Sequence, residues 1–202
     1  MKPVYNKIFV QIEKKFQDEV VTDSGITLYK DTSYHQEENS TTFGTVVATP
    51  LSVDKGNVSD DFLHNVQEGD KLYFNFNVVL DDDNLLEWEG KEYWMVDYWN
   101  AIAVVRDGEI IPVGNYILID PLKEEIKSSL IEIPDFAKEK EKNRGKVFAS
   151  NHPSIPVGAE VEYEPIGKFW NIIEGKKLYC AYNDNVLFIY EKESNQTNKS
   201  HR

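Results

Sequence analysis

The chain has 202 residues, a formal net charge of −13 and a single cysteine, Cys180. The acidic balance argues against nucleic acid or an anionic membrane as a partner, and one cysteine excludes an intrachain disulfide framework and fits a reducing compartment. No apolar run approaches the roughly 20 residues that span a bilayer, and the opening "MKPVYNKIFVQIEKK" lacks a signal-peptide pattern, so a soluble cytoplasmic protein is expected.

Taken in chain order, strand signals dominate. "KIFVQIE" alternates, "FGTVVATP" is β-branched and led by glycine, "KLYFNFNVV" alternates aromatic with polar residues, and "EYWMVDYWNAIAVV" is aromatic and apolar. The best helical candidate, "PDFAKEKEKN", is too poor in apolar residues to hold a packed face. An all-β protein is predicted.

The second half repeats the first. "NKIFVQIEK" (6–14) is echoed by "GNYILIDPL" (114–122), and "FGTVVA" (43–48) by "RGKVFA" (144–149). "VQEGDKLYF" (66–74) is echoed by "IPVGAEVEY" (155–163), and "EGKEYWMVDYWNAIAVV" (89–105) by "EGKKLYCAYNDNVLFIY" (174–190). Four ordered matches, each a turn followed by a strand or an apolar run, predict tandem domains over 1–108 and 113–191 and a disordered polar tail over 192–202. The first half carries an extra segment at 49–65 where the second has only "SNHPS" (150–154), a length difference suited to a surface hairpin or loop.

In each half a long polar segment separates the first strand from the glycine-led one, about 15–42 and about 123–143. Loops of that length are usually functional or disordered. Each holds a short apolar pattern, Ile26-Thr27-Leu28 and Leu130-Ile131-Glu132-Ile133, whose alternation sets two apolar side chains on one side of an extended segment. Such a pair either tucks back against its own domain or docks into a groove on a partner.

Signs of catalysis are absent from the pattern. His35, His64, His152 and His201 lie far apart in loop or tail contexts, without metal-ligand spacing. "DDDN" (81–84) lacks the glycine and terminal glutamate of a calcium loop and reads as a solvated turn. Cys180 in "LYCAY" reads as a core residue, and Trp88, Trp94, Trp99 and Trp170 as packing residues. No phosphate-binding glycine loop and no nucleophile elbow occurs. The reading is of a protein that is not an enzyme and binds no metal or cofactor.

The order of these features resembles the GroES-type co-chaperonins, with two family domains in tandem. The first half supplies "KIFVQI", "SGITL", "FGTVVA", the extra segment 49–65, "EGDKLYF" and "AIAVV", and the second "NYILID", "SLIEI", "RGKVFA", "VGAEVEY" and "NVLFIY". The resemblance implies two tandem GroES-like irregular β-barrels, with 49–65 as a roof-like insertion and mobile loops at about 15–42 and 123–143. It implies that Ile26, Thr27 and Leu28, preceded by Gly25, contact a GroEL-like chaperonin. Ile131, Glu132 and Ile133 are the nearest match in the second half, where Glu132 departs from the family's apolar pattern. ATP would be bound by the chaperonin and not by this chain. The chain would form a homo-oligomeric ring, a trimer or tetramer giving about six or eight lobes. The competing expectation is a structural or assembly protein that reuses the barrel without a chaperonin.

Overall fold

Ile8, Phe9 and Val10, three consecutive buried residues, make Lys7–Gln11 (β1) an interior strand covered on both faces. In the structure, a computed structural model that describes residues 2–32, 39–53, 65–125, 139–164 and 169–190, β1 sits in a seven-stranded antiparallel sheet. Its other strands are β4 (Phe43–Ala48), β5 (Lys71–Phe74), β6 (Leu85–Trp88), β7 (Lys91–Asp97), β8 (Ala101–Arg106) and β9 (Glu109–Pro112). Their order is β6-β7-β1-β4-β5-β8-β9. The short β2 (Glu19–Val21) and β3 (Thr27–Tyr29) pair only with each other. A second sheet holds β10 (Tyr116–Glu125), β11 (Glu139–Ser150), β12 (Glu160–Tyr163), β13 (Phe169–Ile173), β14 (Lys176–Tyr182) and β15 (Val186–Tyr190), in the order β13-β14-β10-β11-β12-β15.

The chain divides into two compact units, one of residues 1–116 with 171–176, the other of 117–170 with 177–202. The first is built on a core of Ile8, Val10, Val46, Leu72, Phe74 and Val96, to which a one-turn helix α1 (Asn77–Leu80) adds Val78 and Val79. Within this unit the Glu174 carboxylate accepts from Lys71 Nζ at 2.7 Å and from the Tyr73 hydroxyl at 3.0 Å. The second unit packs Ile117, Ile119, Val147, Val161, Tyr163 and Tyr179. All-β architecture is therefore present in both. As hydrogen-bonded ladders, however, the sheets are open. Closing the first would require β6 to pair with β9, and each of these is the outer arm of a hairpin, on β7 and β8 respectively.

The two sheets carry the same order once β9 is set aside: β6, β7, β1, β4, β5 and β8 correspond to β13, β14, β10, β11, β12 and β15. Their irregularities coincide as well. The β1–β4 ladder skips Val47 between Phe9↔Ala48 and Val10↔Val46, and the β10–β11 ladder skips Phe148 between Leu118↔Ala149 and Ile119↔Val147. The β5–β8 ladder skips Ile102, and β12–β15 skips Leu187. Gly69 and Gly158, both at positive φ, donate to the carbonyls of Val46 and Val147 at 2.8 Å each. Glu89-Gly90 and Glu174-Gly175 turn with both residues at positive φ, the type I′ hairpin geometry. A bulge adds twist and bends its strand, so the two copies bend at the same places.

These ladders correct the sequence alignment by one residue. Matching 6–14 with 114–122 pairs Ile8 with Tyr116, whereas the shared bulge pairs Phe9 with Leu118 and places Ile8 and Val10 opposite Ile117 and Ile119, an offset of 109. A one-residue slip exchanges the two faces of a strand. Other boundaries also move. "KLYFNFNVV" does not stay extended: the Asn75 side chain accepts from the Asn77 N–H at 3.0 Å, and that local bond turns the chain into α1. "EYWMVDYWNAIAVV" breaks at a 3-10 turn over Tyr98–Asn100. The two ends of the segment expected as a second loop, 123–125 and 139–143, lie in β10 and β11, with Lys123↔Glu141 and Glu125↔Glu139 paired, which also places 139–143 of the helical candidate in a strand. Most of the extra segment 49–65, the tip of the second loop and the tail 192–202 lie outside the described residues.

Candidate functional site

The segment between β1 and β4 leaves the sheet on a paired stem. Thr41 N–H donates to the Lys15 carbonyl at 3.0 Å, Gln17 N–H to the Asn39 carbonyl at 2.7 Å, and Phe16 bridges Ser40. The Thr41 hydroxyl adds a bond to the Lys14 carbonyl. A groove of about 520 Å³ opens beside the stem, with Ile12, Phe16 and Phe43 among its walls and Lys14, Glu19 and Lys71 at its margin. Lys14 Nζ lies 2.8 Å from Glu19, and that bond, reinforced by Asp18, raises the lysine above its ordinary value.

Beyond the stem the chain forms an antiparallel hairpin of β2 and β3, in the register Glu19↔Tyr29, Val20↔Leu28 and Val21↔Thr27. "TDSG" is turn chemistry, and the turn is held chiefly by Thr22. Its N–H donates to the Ile26 carbonyl at 2.9 Å, and its hydroxyl donates to the same carbonyl at 3.1 Å and accepts from the Ile26 N–H at 3.0 Å. Gly25 N–H closes the turn on the Thr22 carbonyl at 2.8 Å. Gly25 itself is at φ +79° with nothing within 4 Å of an added Cβ, so conformation and not crowding requires glycine there.

The hairpin presents apolar side chains to solvent. Ile26 is 59% exposed and Leu28 53%, one residue apart on the same side of the extended segment. Val21 and Tyr29, at 67% and 75%, occupy the opposite face, and sequence reading passed over both. The signal for them is the run Val20-Val21 paired across a Gly-containing turn with Thr27-Leu28-Tyr29, a short hairpin pattern. Thus Gly25, Ile26, Thr27 and Leu28 are together on one exposed element, while Ile131, Glu132 and Ile133 lie outside the described residues. A two-stranded hairpin standing alone is marginally stable in water, and exposed apolar residues on it gain by covering.

Elsewhere, Asp70 is buried and takes two bonds from Arg106, from Nε at 2.8 Å and from Nη2 at 2.7 Å, with a third from the Gln67 N–H at 2.7 Å. The carboxylate raises the guanidinium above its ordinary value. This cluster fixes the turn into β5. Among the described residues no three His, Cys, Asp or Glu side chains gather as a metal site, and no helix is long and apolar enough to cross a membrane. No known family model matches the chain, and no curated protein shows significant similarity to it.

Proposed function

We propose that this chain is a co-chaperonin of the GroES type, built as two GroES-like domains in tandem, that caps a GroEL-like chaperonin and assists ATP-dependent folding. The single observation that carries the reading is the β2–β3 hairpin, an element projecting between the first strand and the glycine-led strand with Ile26 and Leu28 exposed side by side. The duplicated sheets support it, since a ring of whole chains then offers several such elements at once. Gly25, Ile26, Thr27 and Leu28 dock in an apolar groove of the chaperonin, with Ile131, Glu132 and Ile133 in the lesser role. ATP is bound and hydrolysed by the partner, and this chain does no chemistry. The ring is a trimer or tetramer in the cytoplasm. Co-elution with a GroEL-type chaperonin on size exclusion, present with ATP and absent without it, is the expected result. Failure to bind under any nucleotide condition, with the chain itself assembled, would leave the structural or assembly role as the better reading.

A further inference from the structure

The groove at the root of the hairpin holds a carboxylate that the fold leaves short of donors. Its charged lining consists of Glu13, Lys14, Asp18, Glu19 and Lys71. Both lysines are committed, Lys14 Nζ lying 2.8 Å from Glu19 and Lys71 Nζ 2.7 Å from Glu174. Glu13 stands exposed at the rim. Asp18 Oδ1 is buried and accepts no hydrogen bond among the described residues, and the Lys14 ammonium stops 3.6 Å from it. A buried acceptor without a donor is costly, and native structures supply partners for nearly all such atoms.

The backbone fixes Asp18 where the stem becomes the hairpin. Gln17 N–H donates to the Asn39 carbonyl and Lys30 N–H to the Asp18 carbonyl, each at 2.7 Å. The aspartate side chain is 45% exposed, and the broad torsion at its end lets the carboxylate turn the buried oxygen outward. Beside it Ile12, Phe16 and Phe43 make walls that suit a cation on an apolar stem. Lys71 Nζ already stands 4.6 Å from the Phe43 ring centroid, and Lys15 Nζ 5.7 Å from that of Phe16. The net charge of −13 draws cationic partners towards the chain. A guanidinium, with two parallel N–H groups, matches both oxygens of one carboxylate.

The groove is also continuous with the docking element. Glu19 lines it and begins β2, where it lies opposite Tyr29, so Glu19, Val21, Thr27 and Tyr29 share one face of the hairpin. Tyr29 and Val21 are both exposed on that face. A partner that covers it reaches the groove without leaving the hairpin. We propose that the groove receives an arginine side chain, flanked by an apolar residue, from the polypeptide on which the hairpin docks. The guanidinium bonds Asp18, Glu13 adds charge at the rim, and the apolar neighbour packs against Ile12, Phe16 and Phe43. This deepens the proposed function and rests on its reading of the hairpin as a docking element, adding a second contact on the face away from Ile26 and Leu28.

The test titrates the full-length chain by calorimetry with acetyl-Leu-Arg-Phe-amide and with the same peptide carrying citrulline, which keeps the shape and loses the charge. Hydrogen exchange locates the bound peptide, with protection expected over 11–19 and 41–45. The citrulline peptide should bind about tenfold more weakly or worse, and so should the arginine peptide to Asp18→Asn, each having lost a charge-assisted bond. Glu13→Gln, at an exposed position, should weaken binding by a smaller factor, and both variants should melt as the parent does. In the ATP-dependent chaperonin assay Asp18→Asn should bind about tenfold more weakly or worse. Protection elsewhere, equal binding of the two peptides, or a lower melting temperature of Asp18→Asn with peptide binding unchanged would each overturn the proposal. So would binding seen only after removal of residues 192–202, which would assign the groove to the chain's own basic-ended tail. Capping by Asp18→Asn equal to that by the parent would exclude the groove from docking and leave the capping reading intact. A parent that binds the arginine peptide in the groove but no chaperonin would uphold the groove and remove that reading.

Discussion

Replacing Leu28 by serine isolates recognition from folding. About half of the Leu28 and Ile26 surfaces is exposed in the free chain, so docking covers only that half, worth roughly 1–1.5 kcal/mol each where a whole side chain is worth about 1.5–3. Ordering even two or three residues in the bound loop costs about 1–2 kcal/mol apiece, which cancels or exceeds the pair's gain. One loop is therefore a weak ligand, and useful affinity requires several held on one ring. Leu28→Ser in every subunit removes about 1–1.5 kcal/mol per loop. Over about three or four loops this reaches roughly 3–6 kcal/mol, on the order of a hundred- to ten-thousand-fold in affinity. The fold should notice little, since exposed substitutions usually stay within about 0.5 kcal/mol. The assay is ATP-dependent chaperonin binding by calorimetry, beside thermal melting and light scattering of the same variant. Ile26→Ser should behave alike. A melting temperature lowered by several degrees with binding unchanged would refute the reasoning and make the pair a packing element.

Gly44→Ala and Gly145→Ala should each destabilise by about 1–3 kcal/mol in denaturant titration, because a Cβ at Gly44 would lie 2.6 Å from Ile12 Cγ2 and 2.8 Å from the Gln11 carbonyl, and one at Gly145 would meet Ile119 and the Asp120 carbonyl. Arg106→Ala should cost about 3–5 kcal/mol by the same measurement, since it strands the buried Asp70 carboxylate, whereas Asp70→Ala, the residue found at the corresponding Ala159, should cost less. The Glu174 carboxyl is held below its ordinary value of about 4.5, first by the bond from Lys71 and then by Tyr73. Its folded value is thus lower than its unfolded one, so its contribution is complete above the unfolded value and disappears as pH falls through the folded value. Glu174→Gln should accordingly lose stability at neutral pH and flatten the acid side of the stability profile, and an acid limb equal to that of the parent would contradict this.

Much of the fold was legible because its signals are local. β-branched and aromatic runs separated by glycine turns mark strands, and the Glu-Gly-Lys hairpins at 89–91 and 174–176 announce the duplication. Register was less legible. In "KIFVQ" and "YILID" the buried residues are consecutive, so alternation cannot tell which of them face the core, and only the shared bulge fixes the offset. The helix α1 escaped because Val78 and Val79 favour strands, and the residue that overrides them, Asn75, acts through a side-chain bond. Of the site, the spacing Ile-x-Leu was readable, but its hairpin of three-residue strands is too short to generate a periodic pattern.

What the copies share and what they do not follows a physical division. The bulges, the positive-φ glycines and the crowded Gly44 and Gly145 recur because they shape a sheet that must close over a packed core, and a packed interior tolerates few alternatives. The copies differ at a turn and at a sheet edge. Asp70 with Arg106 gives way to Ala159, and buried β8 gives way to exposed β15. Val186 packs against the second core, the Tyr190 hydroxyl donates to Glu162 and Arg144 lies over its ring, so part of β15 is held by its own sheet while Leu187 and Phe188 stay exposed. The β15 strand and the β2–β3 hairpin both present apolar side chains to solvent among the described residues.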